Sequence, residues 1–91
     1  MKKVVIYSQE GCSHCAELKN LLEQNGIPYM TSDIDNKKED WRVISESTEN
    51  EYVPQVLLVD PSDESARILA PDRDFDDVSE CLQHIMTELY S

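Results

Sequence analysis

The stretch YSQEGCSHCAELK, residues 7–19, contains two cysteines, Cys12 and Cys15, separated by two residues. A pair at that spacing can hold a metal, form a structural crosslink, or exchange electrons by switching between dithiol and disulfide. In a reducing compartment an isolated pair of this kind is more often catalytic or metal-binding than a static disulfide. The rest of the chain must decide between these kinds of chemistry.

Composition and length exclude several classes of protein. Eight Lys plus Arg against nineteen Asp plus Glu give a formal charge of −11, so the basic surface that nucleic-acid binding needs is missing. No apolar run approaches the roughly 20 residues of a membrane helix, and the start lacks a secretory signal pattern. We therefore expect no nucleic acid and no membrane as partners, and a cytoplasmic location. Residues 1–91 are expected to form one domain, and nothing in them predicts an oligomer, so we expect a monomer.

The apolar pattern predicts the elements that position the two cysteines. Residues 3–7, KVVIY, are short and β-branched and predict a buried strand. After a turn over residues 9–11, apolar residues recur at helical spacing until Asn25-Gly26 ends the helix. Cys12 then lies at the helix N-terminus and Cys15 in the first turn. Because free N–H groups and the helix dipole stabilise an anion there, Cys12, the more exposed, is expected to be the attacking thiolate, and Cys15 to stay protonated until it is needed.

The remaining elements alternate between strands and helices. Further strands are predicted over residues 29–35, 52–60 and 66–70, with a turn over residues 61–65. The second helix is predicted to follow an N-cap at Asn36 and to end near Ser47. Asp77 and Glu80 form a capping pattern that opens the third helix. The order β-α-β-α-β-β-α predicts an α/β fold in which a four-stranded mixed sheet is flanked by three helices.

Three segments of the chain follow one known pattern. C-S-H-C comes directly after the first strand and opens a helix, Y-V-P-Q-V occupies residues 52–56, and F-D-D-V occupies residues 75–78. Together they resemble, over nearly the whole chain, a glutaredoxin of the thioredoxin superfamily, of the dithiol type with a C-S-H-C active site. The resemblance implies the thioredoxin-like version of the fold predicted above.

The resemblance also implies a function. A dithiol glutaredoxin reduces protein disulfides and glutathione mixed disulfides: Cys12 would attack the disulfide, and Cys15 would then release the reduced target. The Val53–Pro54 bond would be cis, with the backbone of Val53 pairing with the substrate beside the dithiol. Disulfide-containing proteins are then the targets and glutathione is the co-substrate, while no cofactor is tightly bound.

Four further side chains are implied to face the substrate. His14 could stabilise the neighbouring thiolate, and Asp76 and Asp77 could hold the amino group of glutathione. Gln9 stands where glutathione-binding members usually carry a lysine, and residues 73–74, Arg-Asp, stand where they carry Gly-Gly. Both departures weaken the expected glutathione site.

Alternatives to a glutathione-dependent enzyme stay open. The departures favour a glutaredoxin-like redoxin that is reduced by thioredoxin reductase, for example as the electron donor of ribonucleotide reductase. An iron–sulfur cluster carrier, with Cys12 and glutathione as ligands between two protomers, is another alternative. A zinc site is disfavoured, because zinc prefers four ligands and the chain has one C-x-x-C pair. The third cysteine, Cys81, is predicted to be a small buried apolar residue of the last helix.

Overall fold

The order of strands and helices is the one predicted. The computed structural model describes residues 2–62 and 64–90; Asp63, in the predicted turn, and the first and last residues of the predicted domain lie outside the described residues. The elements are β1 (Lys3–Ser8), α1 (Ser13–Gln24), β2 (Met30–Asp33), α2 (Lys38–Thr48), β3 (Gln55–Asp60), β4 (Ser65–Leu69) and α3 (Val78–Tyr90).

The four strands form one mixed sheet in the order β2-β1-β3-β4. β1 runs parallel to β2 and antiparallel to β3, and β3 pairs antiparallel with β4. Near the end of β1, Tyr7 pairs with Gln55, the first residue of β3. The segment that follows β1 and the segment that precedes β3 therefore meet at the same end of the sheet.

Helices cover both faces of the sheet, because alternate strand residues point to opposite sides. On one face the apolar residues of the strands pack against α1 and α3; they include Val4, Ile6, Val56, Leu58, Leu18, Leu22, Cys81 and Ile85. On the other face a smaller cluster packs against α2; it includes Val5, Tyr7, Leu57, Ile68, Trp41 and Ile44. This arrangement confirms the predicted α/β fold, a mixed sheet flanked by three helices.

The boundary between β2 and α2 differs from the prediction. β2 ends at Asp33 because the Asp33 carbonyl accepts hydrogen bonds from the N–H groups of Asn36 (3.1 Å) and Lys37 (2.8 Å). The Asp33 carboxylate also accepts one from Asp35 N–H at 2.9 Å, so these residues form a turn. The N-cap of α2 is Lys37, which makes no side-chain capping bond; the predicted N-cap at Asn36 is wrong.

The start of α3 confirms its predicted capping pattern. Asp77 Oδ1 accepts a hydrogen bond from Glu80 N–H at 2.8 Å, and the Glu80 carboxylate accepts one from Asp76 N–H at 3.2 Å. Two free N–H groups at the helix start are thereby satisfied. No helix within residues 2–62 and 64–90 combines the length and the apolar character needed to cross a membrane.

Candidate active site

Cys12 and Cys15 lie where β1 gives way to α1, as predicted. A turn closed by the hydrogen bond from Cys12 N–H to Gln9 O (3.1 Å) joins the two elements, and Gly11 takes a positive φ of 84° that favours glycine. Cys12 is the N-cap of α1, and its Sγ accepts a hydrogen bond from Cys15 N–H at 3.2 Å. The two sulfur atoms are joined as a disulfide, with the Cα atoms 5.3 Å apart.

The two cysteines differ in exposure. Cys15 faces the core and is 2% exposed, whereas Cys12 is only partly buried. The prediction that Cys12 is the more exposed of the pair is therefore confirmed. An incoming sulfur atom can therefore reach Cys12 more easily than Cys15.

A second segment, residues 49–54, lies between α2 and β3. The Val53–Pro54 peptide bond is cis, which confirms the prediction. β3 was predicted to begin at Tyr52, but its first residue is Gln55. The reason is that Tyr52 N–H donates to Asn50 Oδ1 at 2.8 Å, so these residues form a local loop rather than a strand. Tyr52 itself is 70% exposed.

A buried amide holds this loop in place. Gln55 is fully buried and donates from Nε2 to the carbonyls of Asn50 (2.7 Å) and Tyr52 (3.1 Å). Its Oε1 accepts a hydrogen bond from Thr48 Oγ1 at 3.0 Å. Every polar atom of the amide thus has a partner, and the loop is fixed to α2 and to the sheet.

A groove that begins at His14, between the two cysteines, brings together most of the predicted substrate-binding residues. It encloses a cavity of about 110 Å³. Its lining consists of His14, Val53, Pro54, Pro71, Phe75, Asp76, Asp77 and Val78. Five of the six predicted residues are among them. A larger depression of about 760 Å³, lined in part by Tyr52, has neither cysteine of the pair among its lining residues.

Gln9, the sixth predicted residue, does not line this cavity. Its Nε2 donates to Asp35 Oδ1 at 3.4 Å, so it faces the turn that follows β2. Arg73 is also engaged elsewhere, since it donates to Ile68 O and pairs with the Asp74 carboxylate. Among the described residues that line the cavity none is Lys or Arg, and its charged side chains are the two aspartates.

The pKa of two nearby groups is shifted. Burial opposes ionisation of Asp74, but the Ala70 N–H and the Arg73 guanidinium hold the pKa of this carboxyl below its usual value. Burial, assisted by the charge of Asp74, raises the pKa of the Cys81 thiol to about 12. Cys81 lies in the core, as predicted, and at neutral pH it stays a buried thiol.

The structure adds a residue that the sequence did not single out. Pro71 joins the groove beside Phe75 and Val78 of the F-D-D-V segment, because the β4–α3 connection lies along its side, which no local pattern indicates. Gln55 did give a signal, since a polar residue interrupts an apolar strand. In the described part of the chain no group of three or more His, Cys, Asp or Glu side chains is placed to hold a metal.

Comparison with known proteins places the chain in a family. The profile of the family named Glutaredoxin matches residues 4–60, which include Cys12, Cys15 and the cis-proline. The chain belongs to the glutaredoxin family. The N-acetyl-S-hydroxy-L-cysteine reductase of Bacillus subtilis (strain 168) is 40% identical to this glutaredoxin-family chain over 35 residues, which make up 38% of each protein. The chain thus spans about two fifths of the length of that curated relative.

Solved structures share the fold of this glutaredoxin-family chain. The thioredoxin-like protein BC3987 gives a TM-score of 0.65 at 22% identity, over 91% of this chain and 99% of that one. The Trx4 domain of ERdj5 gives a TM-score of 0.58 at 14% identity, over 99% of this chain and 81% of that one. A complex of buckwheat glutaredoxin with glutathione gives a TM-score of 0.54 at 26% identity, over 60% of this chain and 53% of that one. The first two likenesses show a thioredoxin-like fold.

Proposed function

We propose that this chain is a dithiol oxidoreductase that reduces protein disulfides and mixed disulfides of glutathione through Cys12 and Cys15. The observation that carries the proposal is the position of Cys12: its sulfur caps α1, accepts the Cys15 N–H and is partly exposed beside the groove. The chain acts as one domain and as a monomer in a reducing cytoplasm, without a tightly bound cofactor.

The reaction transfers two electrons to the target. The Cys12 thiolate attacks one sulfur of the target disulfide, forms a Cys12–target disulfide and expels the other target sulfur as a thiolate. The Cys15 thiol then gives up its proton and attacks the Cys12 sulfur, which forms the Cys12–Cys15 disulfide and releases the second target thiolate. The N–H of Cys15 hydrogen-bonds the Cys12 sulfur in the oxidised structure, and the same donor favours the thiolate in the reduced form.

The groove supports a role in holding the target. Val53 and Pro54 line it, so the backbone of Val53 is available to pair with an extended segment on either side of the target cysteine. His14 lies on the same surface and follows the helix N-terminus. The carboxylates of Asp76 and Asp77 are available to bind the amino group of glutathione, and Asp77 also caps α3.

The charge of the groove favours one second candidate. Glutathione carries two carboxylates, and no Lys or Arg is among the described residues that line the cavity. Gln9 faces Asp35 instead of supplying a cation. A redoxin with weak glutathione binding, reduced by thioredoxin reductase, fits this charge pattern better than an efficient glutathione enzyme does.

One assay separates the two candidates. The reduction of a mixed disulfide between glutathione and 2-mercaptoethanol is coupled to glutathione reductase, for wild type, Cys15→Ser, Cys12→Ser and Gln9→Lys. For a working glutaredoxin we expect turnover in wild type and Cys15→Ser and none in Cys12→Ser. The second candidate gives little turnover in wild type, a gain in Gln9→Lys, and normal reduction of protein disulfides with dithiothreitol. If none of the proteins reduces any disulfide, the proposed function is wrong.

A further inference from the structure

Asn50 joins the two walls of the groove. Val53 and Pro54 belong to one wall, and Pro71 belongs to the other. Asn50 Nδ2 donates a hydrogen bond to Pro71 O at 2.7 Å, and Asn50 Oδ1 accepts one from Tyr52 N–H at 2.8 Å. Because one partner can only accept and the other can only donate, a single orientation of the amide satisfies both.

The backbone of Asn50 is itself anchored. Its carbonyl accepts hydrogen bonds from Gln55 Nε2 at 2.7 Å and from Thr48 Oγ1 at 3.4 Å. Gln55 is fully buried at the start of β3, and Thr48 is the last residue of α2. The side chain of Asn50 therefore extends from a fixed point of the scaffold toward the opposite wall.

The opposite wall is a turn whose other hydrogen bonds are local. Asp74 N–H donates to Ala70 O at 2.9 Å, Ala70 N–H donates to the Asp74 carboxylate at 2.8 Å, and Asp72 N–H donates to Phe75 O at 2.8 Å. These bonds fix the shape of the turn, and its base is held by the sheet, where Leu69 pairs with Val56. Beyond the end of that pairing, the hydrogen bond from Asn50 to Pro71 ties the turn to the segment that carries the cis-proline.

We propose that Asn50 is a positioning residue that sets the width of the groove and thereby the affinity for an extended disulfide-bearing segment. The inference rests on the proposed function, because it presumes that the substrate pairs with Val53. Asn50 is not among the residues that line the groove. Its loss changes how well the substrate is held and leaves the reactivity of the Cys12 sulfur unchanged.

Asn50→Asp is the variant that breaks the cross-groove bond. An aspartate still accepts the hydrogen bond from Tyr52 N–H, so the local loop is kept, but it cannot donate to Pro71 O and its second oxygen repels that carbonyl. The matched control is Asn20→Asp, because Asn20 is exposed on α1 and the change adds the same negative charge. Asn50→Ala removes both hydrogen bonds and shows the combined effect.

The test measures binding and chemistry separately in single turnovers. Reduced protein is mixed with increasing concentrations of a disulfide-bridged, fluorescence-quenched peptide, which gives a half-saturation concentration and a limiting rate. Alkylation of Cys12 by iodoacetamide, a reagent too small to need the groove, reports the reactivity of the sulfur. For Asn50→Asp we expect the half-saturation concentration to rise about two- to tenfold. This is the fold-change that corresponds to the stabilisation which one hydrogen bond gives to the binding-competent groove. The limiting rate and the alkylation rate should stay within about twofold of those of Asn20→Asp.

Two results overturn the inference. One is a half-saturation concentration equal in Asn50→Asp and Asn20→Asp. The other is a parallel fall in binding, limiting rate and alkylation that follows the loss of thermal stability, since this means that Asn50 only supports the fold. If the wild-type protein does not reduce the peptide at all, the proposed function fails instead, and the two failures are thereby distinguishable.

Discussion

Replacing Gln55 with leucine tests the claim that a buried amide holds the cis-proline loop. Leucine is similar to glutamine in size, so no large cavity forms at the start of β3 while all hydrogen bonds of the side chain are lost. Those bonds run to the carbonyls of Asn50 (2.7 Å) and Tyr52 (3.1 Å) and from the hydroxyl of Thr48 (3.0 Å). The variant therefore deprives these two carbonyls and the hydroxyl of their partner, the Gln55 side chain, which is 0% exposed.

The structure allows the size of the effect to be estimated. A buried polar group left without a partner costs about 1–3 kcal/mol. Asn50 O keeps a long hydrogen bond from Thr48 at 3.4 Å, and Thr48 Oγ1 can still donate to Ile44 O at 3.1 Å. The main loss is thus that of the two hydrogen bonds from Gln55 Nε2 to Tyr52 O and Asn50 O, at about 1–1.5 kcal/mol each, which together give about 2–3 kcal/mol. Because the free energy of unfolding of a domain is about 5–15 kcal/mol, this loss leaves the protein folded but clearly less stable.

Urea unfolding at pH 7, followed by circular dichroism, measures this loss. We expect the free energy of unfolding of Gln55→Leu to fall by about 2–3 kcal/mol, and the melting temperature to fall by about 10–20 °C. The control is Gln83→Leu, because Gln83 is exposed on α3; that change should stay within about 0.5 kcal/mol of wild type. If both variants are as stable as wild type, the buried amide does not hold the loop.

Three further predictions concern charge and capping. The pKa of Cys81 is raised by burial from 9.0 to about 12, so its contribution to stability is complete below pH 9 and is lost as the pH rises toward 12. As the pH rises, the urea midpoint of Cys81→Ala should therefore fall less steeply than that of wild type. An equally steep fall in both proteins contradicts this prediction. The pKa of Asp74 is lowered despite its burial, so Asp74→Asn should be less stable than wild type near pH 7, and the difference should vanish as acid protonates the carboxyl. Asp77→Ala should cost about 1 kcal/mol by removing the cap of α3, whereas exposed Asp76→Ala should cost less than half of that in the same urea titration.

The sequence predicted those parts of the site that depend on local patterns. Helical spacing placed Cys12 at the start of α1 and Cys15 one turn further, facing the core. The resemblance to glutaredoxins gave the cis peptide bond at Pro54. The capping pattern placed Asp77 at the start of α3. The helix start and the cap are each set by residues within a few positions of one another, so one segment is enough to reveal them, whereas the cis bond followed from three separate segments that match one family pattern.

The features that the sequence did not reveal depend on distant or competing contacts. Asn36 has the chemistry of an N-cap, but the Asp33 carbonyl captures its N–H, so α2 begins only at Lys38. The role of Asn50 depends on Pro71, which is 21 positions away and meets it only when the sheet has formed. Gln55 was visible as a polar residue in an apolar run, but its partners became clear only from the loop that folds over it.

The most direct test of the account is to trap the covalent intermediate. Reduced Cys15→Ser protein is incubated with a disulfide-bridged peptide, and mass spectrometry locates the adduct. Since this variant cannot resolve the mixed disulfide, we expect one peptide per chain, attached to Cys12, whereas wild type should release the peptide and form the Cys12–Cys15 disulfide. An adduct on Cys81, or no adduct while wild type still reduces the peptide, would contradict the assignment of Cys12 as the attacking thiol.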